Sequence, residues 1–366
     1  MRRRPRWRDP WLWIAVVITV ATIALALRDV SFGEVARDMG RVSPLWLIGL
    51  GVPGQLAGVW LRARRWRHLT DALQPIPQGP LFRATAVGMM GNNLFPLRAG
   101  ELLRAWLLAR DTGAALAGIV GTIVLERVID SLCFLGLAFA VIAFGVARHG
   151  GPLAAAAGPL AAMAAVPLLA VLLLRAAPEA MVRLFERVLG PVLPAATTVS
   201  AAALLRRFAA GLGSLRGGAH LFWIAWHSVL LWGVSQMVPF LAGILALHLD
   251  LGGFGASLTA AYTTMIVVGI AVSVPSAPGF FGPYHLACRE ALSRFGVPDA
   301  EALAFGTLVH AVYWVTVTGL GLAVLRRRGG SLAALEAAAE GGEPAVAPGG
   351  SGAPASLGKD PSERRR

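Results

Sequence analysis

The chain is short of charge. Asp, Glu, Lys and Arg make up 14% of its 366 residues, where a soluble domain carries about 25%. Hydrophobic residues reach 56%, and the mean hydropathy is +0.65. That balance excludes a soluble enzyme of this length. Several apolar runs reach the roughly 18–20 residues that cross a hydrocarbon core about 30 Å thick. They are continuous, not alternating, which excludes a transmembrane β-barrel. Cysteine is nearly absent. Cys133 and Cys288 stand alone in apolar surroundings, without the spacing of a disulfide framework or a Cys/His metal site. No Walker A, GxSxG or zincin pattern occurs, which argues against an ATP-driven pump or a serine hydrolase. Neither a metal nor a cofactor is expected.

What charge there is leans positive, with 33 Lys+Arg against 20 Asp+Glu and a formal net charge of +13. The arginines flank apolar runs, as in cytoplasmic loops of membrane proteins. Their natural counter-charge is an anionic headgroup and not nucleic acid. The basic start followed by an apolar run imitates a signal peptide, but the run is too long and lacks an A-x-A site before Arg28, so it reads as a retained first span. Full spans are expected over residues 11–27, 45–61, 128–147, 152–174, 221–247 and 300–325. Five Arg within residues 1–10, four within 62–68 (Arg62, Arg64, Arg65, Arg67), six within 175–216 and three within 326–328 place both termini in the cytoplasm of a cell-membrane protein.

Two further apolar regions are interrupted, 81–109 at FPLRAGE and 254–295 at VPSAPGFFGP. Internal Pro and Gly free backbone groups that lipid cannot satisfy, so such breaks belong inside protein or beside a watery cavity. With the arginine-based sidedness, the two become re-entrant helical hairpins entering from opposite faces, the pattern of inverted repeats. The fold class expected is therefore all-α: a polytopic membrane helix bundle of about six full spans plus two broken re-entrant hairpins. Pro96-x-x-x-Gly100 and Pro275-x-x-x-Gly279 share a motif, and Arg110-Asp111 and Arg289-Glu290 follow at one offset. An internal duplication would leave this register; the motif alone also recurs by chance among 43 Gly and 23 Pro. Residues 1–328 form the transmembrane domain, with a cytoplasmic connector over 176–218 whose MVRLFERVL segment is amphipathic. Residues 329–366 lack any packing period and are expected to be a disordered cytoplasmic tail.

Three stretches carry polar groups where apolar ones would serve a span better. In 88–110, Asn92 and Asn93 are amides in an apolar setting, and Pro96 ends a half-helix. Gly100 permits a turn, and Glu101 opens the next half-helix at its positive end. If that half-helix begins near Arg98, its free N–H groups and Arg98 suit a phosphate, with Arg104 on the face of Glu101. The alternative is a surface loop with solvated charges. In LERVID, Glu126 and Asp130 share one face, and Arg127 pairs with Asp130 at i, i+3. These are charges inside the membrane with a function, or an interfacial ion pair. In 275–285, Pro275, Pro278, Gly279 and Gly282 preclude a regular span and predict a cavity-lining turn, or an ordinary loop; Tyr284 and His285 add polar tips. His227, Gln236 and His310 read as helix–helix hydrogen-bonding groups, and most of the tryptophans as interface anchors.

NNLFPLRAGELLRAWLLAR, then LERVID, then PSAPGFFG resemble the transmembrane domain of lysylphosphatidylglycerol synthases, which also occurs alone as flippase-like membrane proteins. The resemblance covers roughly residues 10–328 and maps its pattern onto Asn92, Pro96, Arg98, Gly100, Glu101, Glu126, Arg127 and Asp130. Two departures stand out: Phe280 replaces a glycine of the second break, and His285 stands where an acid is expected. The soluble aminoacyl-transfer domain of full synthases has no room after the last span, so the resemblance implies the translocating half alone. The expected function is a non-enzymatic flippase for a phospholipid or lipid-linked sugar. Arg98, Arg104 and Arg127 would bind the phosphate, with Glu101, Glu126 and Asp130 orienting them or meeting a cationic headgroup. The rival expectation is an accessory protein for a separately encoded glycosyltransferase or lipid synthase. A third, an enzyme using Glu126 and Asp130 as acid and base, lacks a nucleophile or metal set.

Overall fold

The computed structural model describes residues 10–71, 73–149, 173, 176–189, 202, 203, 206, 218–274, 276–332 and 335. Among these every regular element is helical. Helix α1 (Pro10–Leu27) bends by 78° into α2 (Phe32–Gly40). Helix α3 (Pro44–Thr70) contains a π-helical turn at Leu47–Gly51. Next come α4 (Gln78–Leu94), a 3₁₀ turn at Pro96–Arg98, α5 (Gly100–Thr112) and α6 (Leu116–His149). After α7 (Pro178–Leu189), α8 (Gly218–Leu230) runs through a π-helical turn at Leu231–Ser235 into α9 (Val238–Ala246). Then follow α10 (Phe254–Ala271), a 3₁₀ turn at Pro278–Phe280, α11 (Pro283–Ser293) and α12 (Asp299–Arg327).

Among the described residues, four helical stretches are long and apolar enough to cross a membrane: Pro44–Thr70, Phe222–Ala246, Phe254–Ala271 and Asp299–Arg327. The bent α1–α2 pair supplies a fifth if taken as one span. Expected span 128–147 is the second half of α6, while 152–174 lies, except for Leu173, outside the described residues. So do most of the connector and, beyond Leu335, the tail; MVRLFERVL is the helical end of α7. The two interrupted regions differ. Helices α4 and α5 have 17 and 13 residues, each too short to span with ease. At 18 residues, α10 is itself long enough to cross, whereas α11, after the second break, has 11 residues.

One order of elements occurs twice: π-helical turn, helix, helix, 3₁₀ turn, helix, long helix. Leu47 and Pro96, which start the first π and 3₁₀ turns, are 49 residues apart, and Leu231 and Pro278 are 47 apart. The long helix then starts 20 residues after Pro96 and 21 after Pro278. Such a recurrence is what an internal duplication would leave. Its register is not the one that the Pro-x-x-x-Gly motifs suggest. The first 3₁₀ turn starts on the leading proline of its motif, and the second starts on Pro278, three residues in. The packing follows this division in part: Trp66, Leu81, Met90, Leu103, Leu108 and Ile119 belong to one apolar cluster and Phe240, Ile244, Met265, Cys288, Leu292 and Phe305 to another, while Ile224 and Leu325 join the first and Ala138 and Val141 the second.

Candidate functional site

The site starts from three helices that place charge where helix packing hides it. In α3, Arg62 and Arg65 are three residues apart on the buried face, beside the fully buried Trp66. In α5, Arg104 follows Glu101 by one turn. In α6, Glu126, Arg127 and Asp130 occupy little more than one turn. Relative exposures are 0% for Arg65 and Glu126, 2% for Arg104, 6% for Asp130 and 7% for Arg62. These groups are inside the protein, and buried ions persist only when paired.

Glu126 is the hub. Its Oε1 lies 3.3 Å from Arg62 Nη1, 3.3 Å from Arg65 Nη2 and 3.0 Å from Arg127 Nη2, and its Oε2 lies 3.2 Å from Arg104 Nη2. Asp130 meets Arg65 at 2.7 Å, Arg127 at 3.2 Å and Arg62 at 3.4 Å, and accepts a 2.8 Å hydrogen bond from the Trp232 indole. Glu101 pairs with Arg104 at 2.8 Å and lies 3.9 Å from Arg127. Arg65 also donates to Ser228 Oγ, and the Arg104 guanidinium stacks over Trp66. Four arginines thus face three carboxylates. A fifth, Arg98, donates to the Val272 carbonyl at 2.7 Å and lies over the Phe280 ring. Among the described residues it forms no ion pair. The neighbourhood carries two more positive charges than negative ones.

The surplus opens into a cavity of about 300 Å³. Arg62, Arg98, Arg104 and Arg127 line it from the first half, with Glu101, Asp130, Gln55 and Asn92. Trp232, Gln236, Phe240, Phe280, Tyr284 and Tyr313 line it from the second. One wall is basic and the other aromatic. A chamber of about 130 Å³ adjoins it, sharing Asn92, Arg98, Ser273 and Phe280.

The hairpin α4–α5 brings Glu101 and Arg104 to the cluster because glycines let it close. A Cβ on Gly100 would stand 1.9 Å from the Gly88 carbonyl oxygen, and one on Gly91 would stand 2.9 Å from Gly100 Cα. Gly100 therefore serves close approach, not a turn. The half-helix starts at Gly100, and Arg98 is the last residue of the 3₁₀ turn before it, held by a carbonyl of α10's end. Phe95 is extended, as the residue before Pro96 must be.

Other expected positions fall differently. Asn92 lines the cavity, but Asn93 points away and donates to Thr318 Oγ1 of α12 at 3.0 Å. Of the second-break residues expected to line a cavity, Pro278 borders the smaller chamber, and Pro275 lies outside the described residues. Gly279 and Gly282, at φ 78° and 92°, supply backbone freedom: a Cβ would meet Phe281 and Trp314 at the first, and Thr22 of α1 at the second. Pro96 and Gly100 are not among the lining residues either. His285 packs against Phe281 and His310. Arg62 and Arg65 are the residues the sequence reading misplaced. Counted there as cytoplasmic loop charges, they are the buried counter-ions of Glu126 and Asp130. The signal available was their i, i+3 spacing beside a tryptophan, and the need of two carboxylates for partners.

Residues 12–321 match the model of the family described as lysylphosphatidylglycerol synthase TM region. One curated relative is a protein named glycosyltransferase AglD from Haloferax volcanii, 25% identical over 344 residues, which is 86% of this chain and 54% of that protein. Another is a UPF0104 membrane protein from Methanothermobacter thermautotrophicus, 27% identical over 132 residues, 35% of this chain and 39% of the relative. The chain thus spans about half the length of the first relative and less of the second. No solved structure matches it.

Proposed function

The chain belongs to the lysylphosphatidylglycerol synthase transmembrane-region family, and from that premise we propose that it carries an anionic lipid headgroup across a cell membrane. The observation that carries this reading is the basic wall of the cavity, above all Arg98, an arginine without a carboxylate partner among the described residues. Guanidinium groups hold phosphate by paired N–H donors. A phosphate with two negative charges would balance the neighbourhood. Glu101, Glu126 and Asp130 hold the other arginines in place, so the pocket is preorganised before the ligand enters. The aromatic wall accepts the less polar part of the headgroup while the tails stay in lipid. Transport needs no fuel from this chain and is passive or ion-coupled, and the protein is not itself an enzyme. Both termini lie in the cytoplasm. The test is headgroup accessibility in vesicles reconstituted with the purified chain. Arg98→Ala is expected to slow headgroup movement at least tenfold; an unchanged rate removes Arg98 from the site.

A second reading has one observation in its favour. A relative is named as a glycosyltransferase, and the match takes in 54% of it. Here the chain would serve as the membrane partner of a separate glycosyltransferase. Co-purification with such an enzyme, and no headgroup movement by the isolated chain, would favour it over transport.

A further inference from the structure

The smaller chamber has a chemistry of its own. Its walls are Asn92, Phe95, Arg98, Ser273, Val274, Ser276, Ala277, Pro278 and Phe280. Only Arg98 is charged, and it sits on the border shared with the main cavity. The rest offers hydroxyls, one amide and two aromatic rings. Ser276 is 8% exposed, and among the described residues its Oγ has no hydrogen-bond partner; Asn92 Oδ1 is buried against Gly100 and does not face the chamber. A buried polar atom without a partner awaits a ligand or water. At 130 Å³ the chamber offers on the order of ten water-sized positions, the size of one monosaccharide ring.

Phe280 stands between the two spaces, sharing that position with Asn92, Arg98 and Ser273. It is held at φ 62°, a conformation that glycine adopts freely and a bulky residue adopts only at a cost. Its ring lies under the Arg98 guanidinium, so a phosphate drawn to Arg98 ends beside an aromatic face. A cationic or zwitterionic headgroup would bring its ammonium toward a region that already carries surplus positive charge. A neutral hydroxylated ring meets no such repulsion, stacks its C–H face on Phe280 and offers a partner to Ser276.

We propose that this chamber is a glycosyl subsite, and that the ligand is a sugar phosphate whose phosphate lies on Arg98 and whose neutral ring lies between Phe280 and Ser276. The proposal rests on the anionic-headgroup reading and narrows it. Its test is binding of hexose 1-phosphate, inorganic phosphate and phosphocholine to the full chain in detergent, measured calorimetrically. Wild type is expected to bind hexose 1-phosphate at least tenfold tighter than phosphate, and phosphocholine more weakly than either. Phe280→Gly, which removes the strain along with the ring, and Ser276→Ala should bring the ratio of hexose 1-phosphate to phosphate affinity within twofold. A wild-type ratio near one, or a preference that survives Phe280→Gly, overturns the proposal. Phosphate binding without the preference leaves the anion site standing and removes the subsite; loss of all binding together with all headgroup movement is the failure of the broader reading. A parallel arm distinguishes the source of the sugar phosphate. Vesicles containing a polyprenyl phosphate with or without one hexose should show faster movement of the glycosylated lipid if the ligand is a lipid headgroup. A preference confined to soluble hexose 1-phosphate would assign the chamber to a free metabolite.

Discussion

At the scale of single residues, the arginines divide by what they leave behind when removed. Glu126 accepts from or pairs with Arg62, Arg65, Arg104 and Arg127, so its loss strands several buried charges. Breaking a buried ion pair from one side costs about 3–5 kcal/mol. Glu126→Gln is therefore expected to lower thermal stability in detergent by that order. Arg98→Ala orphans only the Val272 carbonyl and should cost about 1 kcal/mol, although it is the substitution expected to stop transport. The two variants should separate in opposite senses, one losing stability and the other losing function; equal destabilisation would make Arg98 a structural residue. Glu101, Glu126, Arg127 and Asp130 were legible because charges in apolar runs are conspicuous. Arg62 and Arg65 were not. An arginine near the end of an apolar run reads the same whether it faces headgroups or a carboxylate one helix away, and the difference lies in a partner 61 to 68 positions distant in the chain.

At the scale of elements, the Pro/Gly interruptions were legible as interruptions but not in their geometry. Proline fixes its own φ and restrains its predecessor, so the end of α4 at Leu94 follows from Pro96. Glycine permits either a left-handed backbone or close contact, and sequence does not say which. Gly282 serves both, Gly100 only the contact, and Gly113 ends α5 at φ 68° with open space around it. Substitution to alanine reads these roles. Gly100→Ala forces its Cβ into the Gly88 carbonyl and should cost about 3 kcal/mol or more. Gly113→Ala should cost about 1–2 kcal/mol. Gly40→Ala, at a helical position with nothing within 4 Å, should be neutral or stabilising by about 0.5–1 kcal/mol. Thermal unfolding of the three variants checks the order; a Gly100→Ala protein as stable as wild type would mean that α4 and α5 do not need their close approach.

At the scale of the whole molecule, a recurring order of elements and an asymmetric distribution of charge meet in the cavity. Its wall is drawn from both halves, yet all six charged lining residues come from the first. Glu126, Arg127 and Asp130 lie 10, 11 and 14 residues after the start of α6. The same offsets in α12 fall on Val309, His310 and Tyr313, so the second half keeps the order of elements and carries apolar, imidazole and phenol groups where the first carries ions. Sites between the two halves of a transporter are opened by one half moving against the other, and this predicts what a lock outside the cavity lining would do. A Cβ at Gly51, in the π-helical turn of α3, would lie 3.8 Å from Ala242 Cβ of α9, the separation that disulfides favour. Neither residue lines the cavity. In a chain freed of Cys133 and Cys288, Gly51→Cys with Ala242→Cys is expected to move headgroups when reduced and to stop when oxidised, and either single cysteine to be indifferent to oxidant. Continued movement by the oxidised pair would place the opening in the two 3₁₀ turns alone, with the halves fixed against each other throughout.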